Sequence, residues 1–312
     1  MVESVLDFCQ GEPIFLQEIL QDLLGIIEPI IDFKYPNPEG DLELLEQLHK
    51  VYPQYSYIIV TNGATQALCG ALEYFSHSSK YLTFFKPYWS RIPTIVNRAG
   101  LIYDENINAN RLIVHPNNPN GSLADEGATA QIWDGAYYNP FYPVYVDCKP
   151  VKAECAIFSA SKLFGVSGYR IGWICTNDVK IAEYVTDYVD NTSVGVSILS
   201  QKEVAGIIRH IRSGHYNKYF EKAKKILEAN HVFLEKQLGC YLDTLNSYGL
   251  FGWFKVKDFE KFNDALFNAK ISLMPGKAFG AVEEGYYRIN LGARQDDLNA
   301  GLTRLANALN KQ

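Results

Sequence analysis

The sequence predicts an α/β fold, in which helices cover a mainly parallel mixed sheet, together with a smaller α+β domain. Short runs of β-branched and aromatic residues recur through the middle of the chain, and segments with helical spacing of apolar residues separate them. Strands that alternate with helices in this way are typical of parallel sheets. After residue 200 the alternation gives way to long helical patterns, which predicts the second domain.

Seven runs are predicted as strands of the large domain because aliphatic, β-branched or aromatic residues dominate them. They are residues 55–60, 80–85, 100–104, 111–115, 130–134, 155–161 and 172–177. The first run leads into TNGATQALCGALEYF, whose spacing predicts a helix. Ligands of such sheets bind beyond the carboxyl ends of the strands, so the residues that follow each run are the first candidates for a site.

The second domain is predicted from residues 200–242, which show the spacing of two or more long helices. Three later runs are predicted as strands, and the chain closes with a helix: 250–257, 271–280, 284–292 and then 296–312. We expect the opening residues to pack with this part. The predicted division is a large domain over 36–210 and a small domain formed by 1–35 and 211–312.

Composition excludes several classes of function. The chain has 312 residues, a formal net charge of −6 and a pI near 5.6, which argues against a basic nucleic-acid-binding surface. Its six cysteines are scattered without a C-x-x-C pair, so neither a disulfide framework nor a zinc site is predicted. The first residues lack the pattern of a signal peptide, and no apolar run approaches the length of a membrane span. These features predict a cytoplasmic protein.

Small residues follow the first strand at Gly63, Ala64 and Thr65. Their backbone N–H groups and the Thr65 hydroxyl could bind a phosphate at the positive end of the next helix. A tight turn capped by Thr65 explains the same residues without a ligand.

Two later loops carry groups that could contact a planar ligand. Trp89, in KPYW, could stack on a ring, although a loop tryptophan is more often a packing residue. Asn118, in HPNNPNG, could offer its amide to a ligand oxygen, although Asn, Pro and Gly also simply make turns.

Asp134 and Tyr137, in WDGAY, end the next strand. A buried carboxylate is costly unless it is paired, and a protonated ring nitrogen is a suitable partner. Tyr137 could donate to a neighbouring phenolic oxygen. A capping aspartate and a core tyrosine are the alternative.

The stretch SASKLFGVSGYRIGW combines hydroxyl groups, a lysine and an arginine. Ser159, Ser161 and Arg170 suit a phosphate, and Arg170 adds a bidentate fork. We expect Lys162, in this electropositive and partly dry setting, to have a lowered pKa and to form a Schiff base with an aldehyde. A surface lysine at a strand end is the alternative.

Taken in order, NGATQAL, KPYW, NNPNG, DGAYY, SASK, GYRIGW and YYRIN resemble the fold-type I pyridoxal-phosphate enzymes, specifically the class I/II aminotransferases. DGAYYNPFY and NTSVGVSILSQ are similar to strings of the tryptophan aminotransferase and alliinase group. The resemblance implies that pyridoxal 5'-phosphate is the cofactor.

The resemblance also implies roles for these residues. Lys162 would bond the cofactor aldehyde and move protons, and Asp134 would hold the proton of the ring nitrogen. Tyr137 and Asn118 would bind the phenolic oxygen. The remaining matched positions would stack on the ring or bind the phosphate: Trp89, Gly63, Ala64, Thr65, Ser159, Ser161 and Arg170.

Three further positions follow from the resemblance alone. Arg288 matches the arginine that binds the substrate α-carboxylate, although an ordinary ion pair is an alternative. Gly11 matches a glycine that lets the N-terminal segment cross the substrate, to which Asn118 would also contribute. Tyr35 matches a tyrosine that reaches the phosphate of a neighbouring subunit, which implies a homodimer with shared active sites.

The expected activity is transfer of an amino group from an L-amino acid, aromatic or neutral, to a 2-oxo acid. No arginine occurs between Ile171 and Gln201, where dicarboxylate-specific relatives supply a second one from the partner chain; Arg91 or Arg294 could substitute. The aromatic residues expected to suit an apolar side chain are Tyr88, Trp89, Tyr138 and Phe141.

Two other classes stay open. The same residues would serve a C–S lyase, a decarboxylase or a cyclase. A cofactor-binding regulator without catalysis is the third class, and the intact Lys162, Asp134 and Arg288 count against it.

Overall fold

The computed structural model describes residues 5–9, 13, 15–16, 35–105, 109–215, 217–281 and 283–311. Its strands form a seven-stranded sheet, a four-stranded sheet and a two-stranded pair. The strands are β1 (Leu6–Asp7), β2 (Tyr57–Thr61), β3 (Tyr81–Thr83), β4 (Ile102–Tyr103), β5 (Asn110–Val114), β6 (Thr129–Asp134), β7 (Lys152–Ser159), β8 (Gly172–Thr176), β9 (Leu242–Tyr248), β10 (Phe251–Val256), β11 (Ile271–Ser272), β12 (Met274–Pro275) and β13 (Tyr286–Asn290).

The α-helices with both ends among these residues lie between and after the strands. They are α1 (Leu42–Val51), α2 (Ala64–Ser76), α3 (Ile92–Arg98), α4 (Ala160–Leu163), α5 (Val179–Ser193), α6 (Ile198–His210), α7 (Asn217–Leu238), α8 (Phe259–Ala269) and α9 (Gln295–Asn310). Across the described parts of the chain, no helix is both long enough and apolar enough to cross a bilayer.

The large sheet has the strand order β2-β8-β7-β6-β5-β3-β4. Its strands are parallel except β8, which runs antiparallel to both of its neighbours. The predicted mainly parallel mixed sheet is therefore confirmed. Because β8 is reversed, its first residue, Gly172, pairs with Ser159 at the end of β7. The carboxyl ends of the parallel strands and the start of β8 thus share one edge.

The central strands are buried on both faces, which explains why their sequences are continuous apolar runs. Phe158 of β7 and Trp173 of β8 are each about 1% exposed, and Tyr52 stacks on Phe158 with ring centroids 4.5 Å apart. This packing fixes the strands whose ends carry the polar residues.

The four-stranded sheet has the order β12-β13-β10-β9 and is antiparallel. The long helix α7 presents a buried row at spacings of three and four residues: Phe220, Ala223, Leu227, Asn230, Leu234 and Leu238. Near the N-terminus, β1 pairs in parallel with β11. The division of the chain into domains at 36–210 stays a prediction.

Two details of the sequence prediction are wrong. β9 (Leu242–Tyr248) was not predicted, since the helical pattern was read through residue 242 and the next strand was expected only at 250–257. Residues 271–280 form the two short strands β11 and β12 rather than one strand, and a 3₁₀ turn begins at Gly276 directly after Pro275.

Candidate active site

A cavity of about 490 Å³ lies at the shared edge of the large sheet. Most of the site residues selected from the sequence line it, namely Ala64, Thr65, Trp89, Asn118, Asp134, Tyr137, Ser159, Ser161, Lys162, Arg170 and Arg288. Parallel strands converge with their carboxyl ends at this edge, which explains how residues from distant parts of the chain meet.

Lys162 lies in the single turn α4, directly after β7. Ser159 caps this turn, because its hydroxyl oxygen accepts a hydrogen bond of 3.2 Å from the Ser161 N–H. On either side of Lys162, Ser161 and Leu163 are buried, and Tyr145 donates its hydroxyl to the Lys162 carbonyl. The backbone of the lysine is therefore held firmly while the side chain reaches the cavity.

Asp134 ends β6 and is only 6% exposed. Its carboxylate accepts one hydrogen bond of 3.0 Å from the Ala136 N–H, and burial raises its pKa to about 6. Among the described residues, no basic side chain forms an ion pair with this carboxylate. A buried carboxylate of this kind needs a cationic partner, and a protonated ring nitrogen fits that requirement.

Arg170 lies close to the start of α2. A Cβ added at Gly63 would overlap the Arg170 guanidinium, and a Cβ added at Gly172 would overlap the Ala64 nitrogen. Ala64 and Thr65 are the first residues of α2, whose N–H groups have no carbonyl one turn earlier in the helix. The guanidinium and these N–H groups together fit a phosphate.

Arg288 lies in the middle of β13 and is 5% exposed. Its guanidinium packs against the rings of Phe251 and Phe279, at 4.3 and 4.7 Å from their centroids. One terminal nitrogen donates to the Cys9 carbonyl. Its Nε is buried without a hydrogen-bond partner among the described residues, and burial lowers the pKa of this guanidinium.

A chain of hydrogen bonds connects Arg288 to Tyr137. Arg288 Nη1 donates to Asn118 Oδ1 at 2.8 Å, and Asn118 Nδ2 donates to the Tyr137 hydroxyl at 3.0 Å. Burial raises the pKa of Tyr137, and the positive charge of Arg288 opposes this rise. Tyr137 is therefore a neutral phenol at pH 7 whose proton can be donated to a ligand oxygen.

Some predicted site residues lie elsewhere. The Gly63 N–H donates to the Thr61 carbonyl at 2.8 Å, so it cannot bind a phosphate as predicted, and the contribution of Gly63 is its positive φ of 75° beside Arg170. Tyr35 is 86% exposed and is not among the residues that line the cavity of its own chain. Gly11 falls outside the described residues.

The aromatic residues expected around the substrate are mostly packing residues. Tyr138 contacts Trp133 and Phe158, and Phe141 stacks on Phe220. Tyr88 lines a different, smaller cavity. Of the four aromatic residues, Trp89 alone is among the residues that line the main cavity in the described chain.

Several residues that line the cavity were not selected from the sequence, namely Cys9, Ser90, Val114, Ala136, Ser167 and Met274. Cys9 contributes through its carbonyl, which carries no sequence signal. Ser167 lies in the quoted stretch around Lys162, and its polar side chain close to Arg170 in the sequence could have indicated that it lines the cavity. Arg91 was considered only as a substitute for a missing arginine, and it lines the cavity as well.

Comparison with known proteins identifies the family. The family model described as Allinase matches residues 44–309. Tryptophan aminotransferase-related protein 2 of Arabidopsis thaliana is 27% identical, with 88% of this chain and 71% of that protein covered. Its namesake from Oryza sativa subsp. japonica is 25% identical, with 72% and 52% covered. An aspartate aminotransferase of Thermotoga maritima is 23% identical, with 99% and 93% covered.

Solved structures show the same fold. Aspartate aminotransferase from Thermus thermophilus with maleate superimposes with a TM-score of 0.78 at 17% identity, covering 98% of this chain and 92% of that one. Aromatic aminotransferase from Pyrococcus horikoshii OT3 gives 0.78 at 19% identity, covering 99% and 97%. The chain therefore belongs to the alliinase family of fold-type I pyridoxal-phosphate enzymes, which is related to the aminotransferases.

Proposed function

We propose that this protein is an aminotransferase that moves an amino group from an L-amino acid, aromatic or neutral, to a 2-oxo acid. The observation that carries the proposal is the hydrogen-bonded path from Arg288 through Asn118 to Tyr137, in the same cavity as Lys162. It joins a group suited to a substrate carboxylate with a group suited to the cofactor ring.

Pyridoxal phosphate, when bound, supplies an aldehyde that bonds amines and a ring that accepts electrons. Arg288 would bind the substrate α-carboxylate, because a guanidinium matches a carboxylate with two parallel hydrogen bonds. Its packing between Phe251 and Phe279 restricts the direction from which a carboxylate can approach.

Lys162 would move the proton. Lys162 lines the cavity after the end of β7, and its amine would take the proton from the substrate Cα. Asp134 would keep the ring nitrogen protonated, and the low polarity around this carboxylate strengthens the attraction. Tyr137 and Asn118 would hold the phenolic oxygen.

Two copies of the chain would complete the site. Tyr35 and Leu42 are 86% and 79% exposed, and Leu199 is 64% exposed. The segments that carry them are joined by the buried Gln201, which accepts from the Asp41 N–H and donates to the Val196 carbonyl. Exposed apolar side chains on these segments support a homodimer in which Tyr35 would reach the cofactor of the other copy.

The decisive experiment replaces Lys162 with alanine. We expect the loss of steady-state transamination by at least about 10⁴-fold, because both the covalent bond and the proton transfer are removed. The matched control is Lys149→Ala, since that side chain is 85% exposed and pairs with Glu126 at the surface. Retained multiple turnover in Lys162→Ala would refute the proposal.

The second candidate is a β-eliminating C–S lyase, which the match to the alliinase family favours. Incubation of the cofactor-loaded protein with single amino acids separates the two. Pyruvate and ammonia from a cysteine derivative indicate the lyase. Stoichiometric conversion of the bound cofactor to its amine form, in the absence of an acceptor, indicates the aminotransferase.

A further inference from the structure

The connection from β6 to β7 brings a buried tyrosine, Tyr145, next to the candidate site. β6 and β7 are parallel neighbours, and a helix usually connects such strands. Here residues 135–151 connect them without a helix or strand of their own. Val144 and Tyr145 are 2% and 8% exposed, so this part of the connection packs into the core.

The Tyr145 hydroxyl bonds a carbonyl that the helix α4 does not satisfy itself. α4 ends at Leu163, so within this helix the Lys162 carbonyl has no N–H one turn later. Tyr145 donates its hydroxyl to this carbonyl. Burial raises the pKa of Tyr145 well above its usual value, so the hydroxyl keeps its proton and remains a donor at neutral pH.

Two further contacts fix the Tyr145 ring. It packs edge-on against the ring of Tyr137, with centroids 6.3 Å apart and planes at 75°. The turn between β9 and β10 lies against it as well, because a Cβ added at Gly249 would be 3.6 Å from the Tyr145 Cβ. His231 of α7 holds this turn, since its Nε2 donates to the Gly249 carbonyl at 2.8 Å. Tyr145 therefore connects the four-stranded sheet to the backbone of Lys162.

We propose that Tyr145 is a positioning residue, which fixes the direction of the Lys162 amine by holding the Lys162 carbonyl. Tyr145 is not among the residues that line the cavity, so it acts through Lys162 rather than on a ligand. α4 has only four residues, and so short a helix depends on contacts from outside it. The inference rests on the role of Lys162 in the proposed function and adds the residue that holds its backbone.

The test measures how fast Lys162 bonds the cofactor. The full-length chain is freed of cofactor and mixed with pyridoxal phosphate, and absorbance follows the condensation. In this step a C=N bond to the lysine replaces the C=O bond of the aldehyde, and the oxygen leaves as water. The variant Tyr145→Phe removes the hydroxyl and keeps the ring that contacts Tyr137.

We expect the rate constant of Tyr145→Phe at saturating cofactor to be about tenfold lower than that of the wild type. Misplacing a reacting group by about 1 Å can cost about 10²-fold, and a loosened Lys162 backbone should cause part of that loss. The half-saturating concentration should change less than about twofold, because the residues proposed to bind the ring and the phosphate are unchanged.

Tyr142→Phe is the matched control, because Tyr142 lies in the same connection, is partly buried and does not line the cavity. It should react at the wild-type rate. An unchanged rate constant in Tyr145→Phe, or an equal reduction in both variants, would overturn the proposal. Loss of folded protein alone lowers the amplitude of the absorbance change and leaves the rate constant as it is, so a lower amplitude without a lower rate constant overturns it too.

Steady-state transamination separates this inference from the proposed function. In Tyr145→Phe we expect kcat to fall about tenfold and KM to change less than about twofold, because Arg288 keeps its bond to Asn118. If the variant bonds the cofactor slowly but the wild type transaminates no amino acid, only the proposed function fails. If the wild type transaminates and the variant bonds the cofactor at the wild-type rate, only this inference fails.

Discussion

The two sheets contribute residues to the cavity in different ways. The seven-stranded sheet contributes residues that follow its strands, such as Asp134 and Lys162, so they stand at a polar edge. The four-stranded sheet contributes Arg288 from the middle of β13, which lies between β12 and β10. A strand end leaves room for a large ligand such as a cofactor. A mid-strand arginine that packs against aromatic rings can be approached by a ligand from fewer directions. Under the proposed function, the seven-stranded sheet would hold the cofactor and the four-stranded sheet would bind the substrate carboxylate.

Arg288→Lys tests this division most strongly. Lysine keeps the charge but loses the fork, so we expect kcat/KM to fall about 100-fold from the loss of one or two charge-assisted hydrogen bonds. Affinity for pyridoxal phosphate should change less than about threefold. Arg209→Lys, at a surface ion pair with Glu43, is the control. If cofactor affinity falls as much as kcat/KM, the two sheets do not have separate roles.

Asp134→Asn tests the strand-end site through pH. The pKa of Asp134 is raised from 3.8 to about 6, which corresponds to about 3 kcal/mol. A raised carboxyl pKa contributes stability below pH 3.8 that is lost as the pH rises through 6. Between pH 4 and 7 the cofactor-free wild type should therefore lose about 2 kcal/mol relative to Asp134→Asn. Denaturant unfolding at each pH measures this difference.

Asp125→Asn is the control for this experiment, because Asp125 is exposed. Its unfolding free energy should follow the wild type across the range. The assignment of Asp134 fails when Asp134→Asn shows the same pH dependence as the wild type.

Gly63→Ala tests the part of the cavity that is proposed to bind the cofactor phosphate. The added Cβ would overlap Arg170, so we expect affinity for pyridoxal phosphate to fall about tenfold. Gly100→Ala provides a matched control, because its φ of 72° is close to the 75° of Gly63 and its Cβ would meet nothing within 4 Å. Backbone strain should cost Gly100→Ala about 1 kcal/mol of unfolding free energy and Gly63→Ala more, because the ψ of 162° at Gly63 lies in a region essentially restricted to glycine; only Gly63→Ala should lose cofactor affinity. Equal cofactor affinity in the two variants contradicts the overlap.

Tyr137→Phe has the smallest expected effect. Asn118 is 2% exposed and donates to Tyr137, so its amide would lose a buried acceptor. We expect a loss of about 1 kcal/mol in the unfolding free energy of the cofactor-free protein. Tyr241→Phe removes a similar bond to Asn310 from an exposed site and should cost less than about 0.5 kcal/mol. A larger loss of unfolding free energy in Tyr241→Phe than in Tyr137→Phe would mean that burial does not strengthen the hydrogen bonds that connect Tyr137 to Arg288.

Much of the cavity could be predicted because strand ends have local signals. Small residues, turn residues and isolated charges follow the apolar runs, and they led directly to Asp134, Lys162 and Arg170. Arg288 has no such signal, since it lies within a run of strand residues, and it was found only through the resemblance of YYRIN to a family.

The parts that could not be predicted depend on contacts between distant segments. Cys9 acts through a backbone carbonyl 279 positions away from Arg288, which no pattern encodes. The aromatic residues Tyr138 and Phe141 were misplaced because the sequence does not show which side of a loop faces the core. β9 (Leu242–Tyr248) was missed because LDTLNSY directly follows a helical pattern and carries few β-branched residues.

The reversed strand β8 makes the stability of the site depend on the stability of the whole molecule. The segment 159–172 connects the end of β7 to the start of β8. Both strands have neighbouring strands on either side. Amide hydrogens in such interior strands exchange with solvent only through the largest openings of a protein. Deuterium uptake at β7 and β8 should consequently be among the slowest in the chain, so Lys162 and Arg170 would keep their spacing through the smaller fluctuations that open peripheral segments.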